Sequence, residues 1–147
     1  MNGYLDLLNS LKTELTNNAL IKSVTFGSID EVELKKRDIY PLAHVGITAG
    51  SIGSSSTDLN VSILFLDVVD DEKDVDTFEQ HEVFVVNNML ASATKTVQEL
   101  LRGNMYKDGY QVEEDATLEI FADRFEDKLA GVAVDFTVSV KSIVTLC

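Results

Sequence analysis

The sequence predicts an α+β fold in one domain, 1–147: two helices packed on one face of a mainly antiparallel sheet of about five strands. Three observations predict it. Two segments carry apolar residues at steps of three and four, the spacing of one helix face. A long segment near the C-terminus alternates strictly between apolar and polar residues, as a half-buried strand does. Between the helical segments lie short β-branched runs punctuated by glycine and by the only proline, Pro41.

In chain order, Tyr4, Leu8, Leu11 and Leu15 form the stripe of a first helix, with Asn2 to cap it and Asn17-Asn18 to end it. Residues 22–26 read as a short strand closed by Gly27. In 28–38, Val32 and Leu34 alternate with charged residues, and a short strand there is an open alternative. Pro41 opens an extended run from Leu42 to Thr48 and pushes Tyr40 away from helical conformation. Residues 50–56, GSIGSSS, are the one low-complexity stretch and read as a flexible loop or hairpin arm.

Leu59, Val61, Ile63 and Phe65 then form one face of a strand. Leu64 and Leu66 are apolar on the other, so this strand is expected to be covered on both sides. An acidic loop follows. Val83, Val86, Leu90, Ala93, Val97 and Leu101 give the second helix its stripe, placing it at about 78–102 with Gly103 as its stop. Residues 104–115 read as a polar connection. Strands are expected at 117–124 and 131–143, with Gly131 as the pivot between them at positive φ. If 40–48 and 58–67 pair, segments 49–57 and 67–77 are expected to project from the same part of the body.

The composition narrows the function classes. Hydrophobic residues make up 45% of the chain, enough for a core without staples. The single cysteine, Cys147, excludes an intrachain disulfide and lacks a local sequence that would activate its thiol. No apolar run approaches the roughly 20 residues of a membrane span, and the N-terminus has no basic leader, so neither a membrane nor a signal peptide is expected. The net charge of −13 repels phosphate backbones and anionic lipid, so no direct nucleic-acid binding is expected. Any assembly must use patches from which these charges are excluded.

Few residues offer chemistry. His44 and His81 are the only histidines, too few for a histidine-rich metal site, and read as ordinary strand and helix-start residues. Gly46, Gly50 and Gly53 precede a strand, not a helix, and no Lys-Ser/Thr pair follows, so a phosphate loop is not expected. The acidic loop is the best metal candidate, through Asp67, Asp70, Asp71 and Asp74. It lacks the central glycine and the alternate spacing of a calcium loop and reads more simply as a solvated segment before a helix. No cofactor and no catalytic residue is expected.

Two stretches carry a resemblance. One is RDIYPLAHVGI, residues 37–47. The other is FADRFEDKLAGVAVDFTVSV, residues 121–140, where a phenylalanine-led strand turns at an Asp-x-Leu-x-Gly step into a long alternating strand. With the two helices, this order resembles the small tail-terminator or tail-completion proteins of bacteriophages, over most of the chain. The Leu-x-Gly turn is similar to one in proteins of phages that infect Bacteroidetes, including the crAss-like group.

The resemblance implies a virion protein, assembled in the host bacterial cytoplasm. It would form a ring, hexameric or dodecameric, at the junction of tail and neck, against tube or connector proteins, without enzyme activity. Interface residues are then expected in the two projecting loops: Ser51, Ile52, Ser54, Ser55, Ser56, Val68, Val69 and Val75. Two other readings stay open, a small cytosolic binding or adaptor domain and an enzyme with an acidic metal site.

Overall fold

The computed structural model describes residues 3–28, 39–69, 81–101, 110–112, 116–124 and 129–141. In chain order these form α1 (Gly3–Thr16), β1 (Ser23–Phe26), β2 (Leu42–Ile52), β3 (Ser56–Val68), α2 (His81–Leu101), β4 (Tyr110–Val112), β5 (Thr117–Arg124) and β6 (Leu129–Lys141). The strands make one sheet in the order β1-β2-β3-β6, with β4 and β5 in tandem along the far side of β6. Only β1 and β2 run parallel; every other pair is antiparallel. The fold is therefore α+β.

Strand alternation divides the sheet into two faces. The even positions Ala130, Val132, Val134, Phe136, Val138 and Val140 of β6 join Val61, Ile63 and Phe65 of β3 and Ala43 and Val45 of β2 in the main core. Leu7, Leu11 and Leu15 of α1 close that core, as do Val85, Met89, Ala93, Val97 and Leu100 of α2. On the opposite face a smaller cluster joins Tyr40, Leu42, Leu66, Phe121, Leu129 and Ala133. The expectation that β3 is covered on both sides thus holds at its C-terminal half, where Phe65 faces one cluster and Leu66 the other.

Both helices are rotated from the stripes read in the sequence. In α1 the buried line is Leu7, Leu11 and Leu15, while Tyr4 is exposed. In α2 it is Val85, Met89, Ser92, Ala93, Thr96, Val97 and Leu100, with Val83 exposed and Val86 and Leu90 half-buried. The reason for the second rotation is polar. Asn18, buried after α1, brings its side-chain NH2 to 3.1 Å from the Ser92 carbonyl and 3.0 Å from each of the Ser92 and Thr96 hydroxyls, three acceptors that share its two hydrogens. Its Oδ1 accepts from the Leu20 amide at 3.0 Å. Ser92 and Thr96 therefore face inward, satisfied by Asn18, at positions a hydrophobic count assigns to solvent.

Two further expectations change, and a third is decided between its alternatives. Residues 104–115 are not wholly a connection, because Tyr110–Val112 pairs with Val138–Val140. Of the two readings of residues 50–56, flexible loop or hairpin arm, the structure has the hairpin arm: β2 and β3 stay paired out to Ile52 opposite Thr57, and the Gly53 amide donates to the Ser56 carbonyl at 2.8 Å.

Gly131 does have positive φ, at 159°, but it lies inside β6 opposite Leu66 and is no pivot. Its lack of a side chain answers close packing between strands, since a Cβ there would run into the Phe65 carbonyl oxygen. The turn between β5 and β6, the possible strand in 28–38 and the Gly103 stop lie outside the described residues.

Candidate functional site

The far half of the β2–β3 hairpin is paired yet exposed. Leu42–Val45 is buried, whereas Thr48–Ile52 is exposed throughout. A bulge at Thr48 separates the halves, because Ile47 pairs with Val61 and Ala49 with Asn60. Bulges and small residues are common devices on an edge that has no covering strand. Ser51, Ile52, Gly53, Ser54 and Ser55 form the tip, and Ile52 is 88% exposed. Among the described large apolar side chains Ile52 is the most exposed.

The second expected interface segment sits elsewhere. Ser56 starts β3 and Val68 ends it, so the hairpin tip and the described start of the acidic segment, Asp67–Val69, lie at opposite ends of a strand roughly 40 Å long. The rest of the acidic segment lies outside the described residues. Val69 is buried in the main core, and Val68 packs against the smaller cluster. Both side chains are occupied within the subunit, which leaves Ser51, Ile52, Ser54, Ser55 and Ser56 as the exposed or half-exposed members of the expected interface. Val75 lies outside the described residues.

Of the metal candidates, Asp67 lies one residue before the end of β3, with its Oδ1 accepting from the Val68 amide at 2.7 Å. Asp70, Asp71 and Asp74 lie outside the described residues. Among the described residues no three His, Cys, Asp or Glu side chains gather where they could hold a metal ion.

His44 is buried in β2 and serves the sheet. Its Nε2 lies 2.8 Å from the Gly27 carbonyl oxygen, and its Nδ1 lies 2.7 Å from the Thr25 hydroxyl. A carbonyl only accepts, so the neutral ring carries its proton on Nε2 and accepts from Thr25 through Nδ1. Gly27, at φ 113°, turns its carbonyl towards the ring while its amide donates to Val45 at 3.1 Å. The imidazole thereby ties β1 to β2. His81 opens the described part of α2, half-buried.

The sequence reading missed a second kind of surface, at the two sides of the sheet. Phe26 on β1 is 47% exposed and meets Tyr4 of α1 edge to face, with ring centroids 6.4 Å apart and planes at 71°. At the other side, Leu118 and Ile120 of β5 are 49% and 56% exposed. Beside them, Ala93, Thr94 and Val97 of α2 with Ala116, Leu118 and Val134 line a groove of about 210 Å³. The signal was present in the alternation of Leu118 and Ile120 with Thr117 and Glu119. Which side of β5 lacked cover was not. No described helix is long and apolar enough to cross a membrane. No protein-family model matches the chain, and no curated protein matches it.

Proposed function

We propose that this chain is a non-enzymatic structural subunit that assembles into an oligomeric ring. The ring is of the kind found at the neck–tail junction of a phage particle, as a tail terminator or head–tail completion protein. The observation that carries the reading is the hairpin tip, where Ile52 stands in solvent on a fully paired arm. Such an arm is ordered without a partner, so docking it costs little conformational entropy. The acidic net charge of −13 is compatible with a channel along which DNA slides without sticking. The location in the virion and the contact with tube or connector proteins rest on the resemblance alone.

Native mass spectrometry of the whole chain at high concentration tests the reading. The expected result is a discrete closed oligomer, and Ile52→Asp is expected to shift it towards smaller species while melting normally. A clean monomer at every concentration overturns the ring. The α2–β5 groove favours a second reading, a monomeric adaptor that takes an apolar side chain from another protein. A monomer of the whole chain would leave that reading standing.

A further inference from the structure

The two sides of the sheet present matching surfaces. On β1, Val24 packs against the main core, and Phe26, two residues on, lies on that same helix-bearing face. On β5, Leu118 and Ile120 pair with Val134 and Val132 of the core, so they too lie on the helix-bearing face. Among the described residues no strand pairs with the outer side of either β1 or β5. Among the described residues each side thus ends in an edge strand with exposed apolar residues on the same layer.

Size and charge also match. An apolar cavity of about 150 Å³ can take a benzene ring. The α2–β5 groove, at about 210 Å³, has room for an aromatic side chain, and the other side of this chain offers one in Phe26, braced by Tyr4. Lys22, exposed just before β1, and Glu119, exposed within β5 on the face opposite the groove, carry opposite charges. That matters in a chain of net charge −13, where most contacts between like surfaces are repulsive.

Direction agrees as well. β1 runs with β2, β2 against β3, β3 against β6 and β6 against β5, so β1 and β5 run in opposite senses. Two copies set side by side with their helices on one side would bring β1 of one antiparallel to β5 of the next.

We propose that a second copy of this chain fills the α2–β5 groove: its β1 edge pairs along β5 and its Phe26 seats against Leu118 and the groove. The contact uses a different surface on each partner, so it is heterologous and repeats around a ring if the rotation closes. It extends the sheet from subunit to subunit, the strand-addition mode of recognition. A stable contact needs roughly 800 Å² from each partner, about a tenth of the 8946 Å² exposed on this subunit. The proposal rests on the ring reading and assigns the main contact between neighbouring subunits, to which the Ile52 tip adds a further one.

The test is a mixing experiment on the whole chain with Phe26→Asp and Ile120→Asp, read by sedimentation velocity and native mass, with melting to check folding. The wild type is expected to form the ring. Each variant alone is expected to lose all species above the monomer, because one of its edges is blocked. An equimolar mixture is expected to form a one-to-one dimer and nothing larger, since Phe26→Asp keeps a good β5 side and Ile120→Asp a good β1 side.

A wild-type monomer overturns both this proposal and the ring reading. A wild-type ring with either variant assembling undiminished overturns the edge contact alone, as does a mixture that stays monomeric. If either variant melts early, Tyr4→Lys and Leu118→Lys repeat the experiment at the neighbouring exposed positions, with the same outcomes deciding.

Discussion

The two halves of β2 share a strand, a partner and one hydrogen-bonded ladder, yet their surroundings differ completely. Leu42–Val45 lies between β1 and β3 and is buried on both faces. Thr48–Ile52 keeps β3 on one side, has no described strand on the other, and is exposed. Backbone pairing therefore continues for several residues after side-chain burial has stopped. The bulge at Thr48 marks the change. The first half contributes to stability through its side chains, whereas the second contributes a surface.

The largest expected effect is at the buried end. Leu42, Leu66 and Gly131 lie in one row across β2, β3 and β6. Leu42 and Leu66 are fully buried in the smaller cluster. Leu42→Ala is expected to cost about 2–5 kcal/mol, measured by denaturant unfolding. A loss below about 1 kcal/mol would mean that this half of β2 is no more built into the core than the other.

Gly131→Ala should follow, at about 1–3 kcal/mol, because the added methyl group meets the Phe65 carbonyl and strands β3 and β6 must separate to admit it. A neutral result in thermal melting would show that the row gives way more easily than its close packing implies.

His44→Ala should cost about 1–2 kcal/mol by leaving the Gly27 carbonyl and the Thr25 hydroxyl without their shared partner. It should also speed amide exchange in β1, read by hydrogen–deuterium exchange, while leaving Ala49–Ile52 unchanged. Equal acceleration in both halves of β2 would break the distinction between them.

The smallest effect belongs to the tip. Ile52→Ala is expected to change stability by less than about 0.5 kcal/mol, since the side chain it shortens is already in water. A drop comparable to that of Leu42→Ala would show that the tip is covered within the subunit after all.

Much of the architecture was legible in the residues. The order of helices and long strands followed from periodicity, and the alternation of Val132–Val140 puts its apolar side chains in the core. What escaped were features whose cause lies far away in sequence. The α2 face turned because Asn18 reaches Ser92 and Thr96, polar partners that a search for apolar stripes passes over. The three-residue β4 exists because β6 offers it an edge. For GSIGSSS composition left loop and hairpin arm open, and only β3 beside it decides for the arm.

The candidate surfaces divide in the same way. The exposed tip at Ile52 could be named from local composition, since nothing in GSIGSSS is fit to build a core. The paired apolar edges at Phe26 and at Leu118 and Ile120 could not, because their exposure depends on which strands stand beside them.

By itself, then, the sequence determined the fold class, the alternation of the long strands and the acidic surface, all properties of near neighbours and of composition. The tertiary structure alone decided which helix face turns inward, which strand ends lie bare and that two bare edges match. Those depend on contacts between residues as distant as Asn18 and Thr96, or β1 and β5, and no local pattern encodes them.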